Sequence, residues 1–151
     1  MVTPSEQLDR RFAELKPLAE SATRPSRGWI RAIRDGLGMT TAQLARRIGV
    51  SQPRISELER AEASGNITIK SLERAAEAMG CQFVYAIVPL APLTETIATR
   101  ASKLADQRLA SIEQTMRLED QSVTDPARHR EALTRIISEL LRHPARLWDE
   151  Q

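Results

Sequence analysis

Apolar side chains recur along most of the chain at intervals of three and four residues, the spacing that lines one face of an α-helix. Leu8, Phe12 and Leu15 form the first such stripe, opened by Ser5, and Pro17 is expected to end or kink that helix. Ser21 to Gly28, with Pro25 inside it, reads as a linker. Trp29, Ile30, Ile33 and Leu37 form the next stripe, closed by Gly36 and Gly38. Leu44, Ala45 and Ile48 follow. Gly49 interrupts, Val50 points inward from the turn, and Ser51 caps a second short helix with inner residues Ile55 and Leu58. Ala61 to Asn66 reads as a loop. Thr68 then caps a helix with the stripe Leu72, Ala75, Ala76 and Met79, stopped by Gly80.

Cys81 to Val88 breaks the helical period and reads as a strand ended by Pro89. Phe83, Tyr85 and Ile87 fall on one face, and Val84, Ala86 and Val88 on the other. A lone strand, apolar on both faces, cannot pair its own backbone N–H and C=O groups. Its simplest partner is its own copy across a two-fold axis, so these six residues are the expected dimer interface. Beyond it, Thr94 to Leu118 predicts a long helix of roughly 37 Å. Its stripe is Ile97, Ala101, Leu104, Ala105, Ile112 and Met116. Glu119 to Thr124 breaks it, and Asp125-Pro126 opens a last helix showing Leu133, Ile136, Ile137, Leu140 and Leu141. His143-Pro144 ends that helix. Leu147 and Trp148 lie in the tail, where Trp148 either packs back on its own fold or anchors a partner.

The stretch Thr41 to Arg60, TTAQLARRIGVSQPRISELER together with its preceding threonine, carries the chemistry. Two helices meeting at a steep angle need a small residue where they press closest, here Ala45. They also need a residue tolerant of positive φ at the corner, here Gly49. The plain alternative is an ordinary αα-hairpin. With Ile55 and Leu58 turned inward, the 100° step leaves Gln52, Pro53, Ser56, Glu57 and Arg60 mostly outward. Gln52 suits a bidentate bond to adenine, and Pro53 a thymine methyl. Glu57 either accepts from a cytosine amine or pairs with Arg60 or Arg54, and Arg54 suits a phosphate. Charge distribution agrees: Arg24 to Arg60 holds eight Arg against three acids, +5, while the whole chain carries only +2.

In this register the stretch resembles the helix-turn-helix of the XRE (Cro/repressor-like) family. The resemblance implies a mainly α, lambda-repressor-like DNA-binding domain, with one strand pairing across a homodimer and C-terminal helices after it. It also implies DNA contacts from Thr41, Gln43, Arg47, Ser51, Gln52, Pro53, Arg54, Ser56, Glu57 and Arg60, and the two-fold axis of the expected strand pairing makes the operator an inverted repeat. The segments GWIRAIRDGLGMT, NITIKSLERAAEAMGCQFVYAIVPL and TMRLEDQSV further resemble mobile mystery protein A. Members of that family are XRE-type proteins encoded beside a Fic-domain protein, as in a toxin–antitoxin pair. This implies an antitoxin-like autorepressor. The alternative is a protein-binding module that inhibits a Fic-domain partner, with DNA binding secondary. Thr115-Met-Arg-Leu-Glu119-Asp120 matches the Ser/Thr-x-x-x-Glu-Gly/Asn inhibitory pattern of Fic enzymes except at Asp120, so Thr115 and Glu119 are candidate inhibitory residues. The competing reading is a solvated helix end.

Four regions are expected: an N-terminal helix or arm (1–23), the helix-turn-helix domain (24–80), the dimerisation strand (81–90) and a C-terminal helical region (91–151). The first helix either packs on its own domain or a dimer mate, or serves as a docking arm. His129, His143 and Cys81 form no catalytic set, and neither metal-ligand spacing nor a phosphate-cradling Gly loop is present. No catalytic residue, metal or cofactor is therefore expected. The single cysteine excludes an internal disulfide and suits a reducing compartment. No apolar run approaches the roughly 20 residues of a membrane span, and no signal-peptide pattern opens the chain. These features predict a soluble, cytoplasmic protein.

Overall fold

A computed structural model describes residues 1–119 and 125–149. Among them are seven α-helices: α1 Pro4–Ser21, α2 Trp29–Gly36, α3 Thr41–Ile48, α4 Gln52–Ser64, α5 Ile69–Ala78, α6 Leu93–Leu118 and α7 Pro126–Arg142, followed by a 3-10 turn at Pro144–Leu147. The chain divides into two compact units, one of Pro17–Ile87 and one of Met1–Lys16 with Val88–Gln151. The boundary between the units falls inside α1.

In the unit Pro17–Ile87 the core is Ile30, Leu44, Ala45, Ile55, Leu58, Ala75 and Met79, with Ile33, Ile48, Val50 and Leu72 packed against it. These are mostly the positions expected from the helical period. Gly49 closes α3 at φ 86 in the left-handed region, and its N–H and that of Val50 both donate to the Ala45 carbonyl. In the other unit Ala101, Leu104, Ala105, Leu140 and Leu147 form the core, flanked by Ile97, Leu133, Ile136 and Ile137. Asp125 caps α7 as expected, accepting from Ala127 N–H at 3.0 Å.

Several expectations need correction. α1 runs through Pro17 to Ser21; the ring costs one backbone bond on an exposed helix, and the Ser21 hydroxyl donates to the Pro17 carbonyl at 3.2 Å. Trp29 and Leu37 are exposed, and Arg34 takes the buried place beside Ile30 instead. Ala61 to Ser64 is the last turn of α4 rather than loop, and the stop comes at Gly65, φ 80. Ile112 and Met116 are exposed, because the buried face of α6 ends at Leu109. The tail is anchored by Leu147, while Trp148 is exposed.

The expected strand is not formed within the chain: Cys81–Pro89 is neither helix nor strand, with Val84, Tyr85 and Ile87 exposed at 77%, 67% and 86%. A strand exists only through its ladder partner, and among the described residues none faces this segment. Phe83 and Tyr85 stack with ring centroids 5.9 Å apart. α6 ends at Leu118, so the break expected at Glu119–Thr124 begins where expected, while the rest of it, with the mismatched Asp120, lies outside the described residues.

Candidate nucleic-acid interface

The interface is built on α3 and α4. Thr40, which the sequence reading passed over, opens α3 with a capping box: its hydroxyl accepts from Gln43 N–H at 3.1 Å, and its own N–H donates to Gln43 Oε1 at 2.8 Å. Gln43 therefore spends its oxygen on the cap and keeps its amide N–H groups for an outside acceptor. Its T-x-x-Q spacing was visible in the sequence.

α4 begins at Ser51, whose backbone is extended at φ −74, ψ 154. Ser51 was expected to cap this helix, but its side chain makes no capping bond. Its exposed hydroxyl and the Gln52 N–H thus stay available to an anion, whereas the Arg54 N–H donates to the Ser51 carbonyl at 3.1 Å. Gln52, Pro53, Arg54, Glu57 and Arg60 are exposed and Ser56 half-buried, as the 100° step requires. Pro53 sits within the first turn, where the N–H it lacks would have had no intrahelical partner. Gln52 Nε2 donates to the Thr41 hydroxyl at 3.0 Å. The hydroxyl proton of Thr41 remains free to donate outward, so one hydrogen bond joins a candidate base reader to a candidate phosphate ligand.

The charges are more committed than the sequence suggests. Arg54 pairs with Glu57 at 3.1 Å, one of the arrangements expected for Glu57. Arg60 Nε donates to the Ser56 carbonyl at 3.3 Å. Arg47 Nε donates to the Ala78 carbonyl at 2.6 Å, where it holds the C-terminal end of α5. Only its terminal nitrogens remain for a phosphate. Arg46, which the sequence reading missed, is exposed and lines an open groove of about 500 Å³ with Gln43 and Arg47. Its place at the outward centre of α3 was the available signal.

Two buried acids on the inner face fix where α4 points. Glu59 receives Arg34 through Nε at 2.6 Å and an Nη at 3.3 Å, and Arg34 also donates to the Met39 carbonyl at 2.9 Å. The hydrogen bond that Arg34 donates to Glu59 raises the Arg34 pKa further, against the opposing effect of burial. Glu62, 2% exposed, caps α2: its oxygens accept from Trp29 N–H at 2.7 Å and Ile30 N–H at 2.9 Å. Gly28 makes room for that carboxylate, and Arg24 donates to the Glu62 and Ala63 carbonyls. Neither acid was singled out in the sequence, although Ile55, Leu58, Glu59 and Glu62 recur at i, i+3, i+4 and i+7.

The model of a helix-turn-helix family matches residues 30–85, a little over a third of the chain. It spans α2 to α5 and supports the XRE reading of this region. Comparison with curated proteins and with solved structures finds no match. The chain thus carries a helix-turn-helix domain, of the kind used by DNA-binding transcriptional regulators. Among the described residues, no helix is long and apolar enough to cross a membrane.

Proposed function

We propose that the protein is a sequence-specific repressor that reads duplex DNA in the major groove through the N-terminal half of α4. Gln52, Pro53, Ser56 and Glu57 meet base edges, while Thr41, Gln43, Arg47, Ser51, Arg54 and Arg60 hold phosphates. The observation that carries this reading is the Gln52–Thr41 hydrogen bond at 3.0 Å, on an otherwise exposed helix start. It presents an amide edge and a hydroxyl in the order in which a groove presents base and backbone.

The assembly is a homodimer on an inverted repeat. Support comes from the exposed apolar run Val84, Tyr85 and Ile87, which pairing with a second copy would cover while giving each strand a backbone ladder partner on one edge. The two-fold axis then sets two α4 helices about 34–36 Å apart on one DNA face. The test is the DNA immediately upstream of the protein's own gene: anisotropy titrations should give at least tenfold tighter binding than scrambled duplex, weakening as salt rises. Equal affinity for both duplexes overturns the reading.

The resemblance to mobile mystery protein A adds an antitoxin-like role beside a Fic-domain neighbour. The second reading, inhibition of that enzyme, is favoured by the exposure of Thr115 and Glu119 at the end of α6, beside exposed Met116 and Leu118. Its test is loss of inhibition of the co-purified neighbour in Glu119→Ala, with DNA binding unchanged.

A further inference from the structure

The face of α6 turned away from its core carries a groove of about 470 Å³, within the unit that contains α7. Thr96, Thr99, Arg100 and Lys103 recur along it at i, i+3, i+4 and i+7, with Glu95 at one end and Trp148 forming a wall. The volume lies in the range of small-molecule sites.

Three features point to the chemistry of an occupant. Arg100 Nε donates to the Leu147 carbonyl at 2.9 Å, which fixes the guanidinium and leaves its terminal nitrogens without an ion-pair partner among the described residues. Lys103 is exposed and likewise forms no salt bridge among them. Trp148 follows the fully buried Leu147, so its indole is held at the groove by an anchored neighbour while remaining 56% exposed. Two unneutralised cations select an anion, and an exposed indole selects a planar ring. Glu95, an acceptor beside them, disfavours an acidic peptide and favours a ring bearing an amino group.

We propose that this groove binds an amino-bearing nucleoside monophosphate, with its base stacked on Trp148, its exocyclic amine donating to Glu95 and its phosphate held by Arg100 and Lys103. The site lies on different residues from the DNA-reading surface, so it stands or falls independently of it. Trp29 and Trp148 are the only tryptophans, so a Trp29→Phe protein reports Trp148 fluorescence alone. Titration with AMP should quench it saturably, with a half-point below about 1 mM. Adenosine, inorganic phosphate and UMP should each bind at least fivefold more weakly. In Trp29→Phe/Lys103→Gln, with far-UV ellipticity unchanged, the AMP half-point should rise at least fivefold. Absence of saturation by 10-fold higher AMP, on the order of 10 mM, overturns the proposal, as does an unchanged half-point in the Lys103 variant. Phosphate binding as tightly as AMP reduces the groove to a simple anion site. A stronger response to duplex oligonucleotide than to AMP assigns it to DNA phosphates instead; either result refutes the nucleotide assignment.

Discussion

Gly28 and Glu62 should fail together, by an amount set by their geometry. Gly28 sits at φ 87, ψ 163, a region nearly closed to other residues, and a Cβ built there lies 2.6 Å from Glu62 Oε2. Gly28→Ala therefore carries backbone strain of about 1–3 kcal/mol and also displaces the carboxylate that caps α2. Glu62→Ala removes the acceptor of two N–H groups, Trp29 and the buried Ile30. A lost cap costs about 0.5–2 kcal/mol, and the charged acceptor places this one at or above the upper end, about 2–3 kcal/mol. In the double variant the added methyl meets no carboxylate and the cap cannot be lost twice. The two costs should fall short of additivity by at least about 1 kcal/mol, where distant sites agree within about 0.3–0.5. Denaturant unfolding of the four proteins, followed by ellipticity, measures this coupling. Additive costs, or a Gly28→Ala protein as stable as wild type, would refute the account of how α2 and α4 are joined.

Glu59→Ala should destabilise by about 3 kcal/mol in urea unfolding, because it removes the buried acceptor of Arg34 and leaves that guanidinium the exposed Asp35 carboxylate as its ion-pair partner, whereas Arg34→Met/Glu59→Leu should recover more than half of that loss. Partial desolvation opposes ionisation of Asp9, but N–H groups of Thr94 and Leu93 and the Thr94 hydroxyl outweigh it and lower its pKa. The contribution of Asp9 to holding α1 at the start of α6 is thus present above the ordinary aspartate value of about 3.9 and fades as pH falls through the lower folded value. The Leu93 and Thr94 amide resonances should report that midpoint, and a midpoint at or above the ordinary value contradicts the contact. Val84→Pro should leave mostly monomer in sedimentation, with DNA affinity falling alongside, whereas an unchanged dimer would exclude pairing through this segment.

The helical period alone placed Leu44, Ala45, Ile48, Ile55 and Leu58 correctly, because each sits on a face defined within its own helix. Gly49 was equally legible, since a corner between two helices demands a residue at ease with positive φ. What the sequence hid depends on partners distant along the chain. Glu59 looks like any surface acid until Arg34 is brought to it, and Glu62 until the start of α2 needs a cap. The same holds for Asp9, whose carboxylate meets the N–H groups of Leu93 and Thr94. Trp29 and Leu37 failed for the opposite reason: their hydrophobicity says nothing about whether neighbouring elements reach far enough to cover them. Cys81–Val88 has the composition of a strand, but pairing is a property of two segments, and the described residues supply one. On the interface itself, exposure of Gln52, Pro53, Glu57 and Arg60 followed from the helix geometry, whereas the bond from Arg47 to the end of α5 required the packed structure.

The central claim, that α4 reads base pairs, is tested most directly by Gln52→Ala titrated against the upstream DNA and against duplexes with each base pair of the site permuted in turn. The variant should lose about 1–3 kcal/mol, roughly 5- to 150-fold, on the native site and become indifferent to identity at one base pair while keeping its preferences elsewhere. An equal loss on every sequence, or no loss on any, would mean that Gln52 holds backbone or nothing, and that α4 does not read DNA as described.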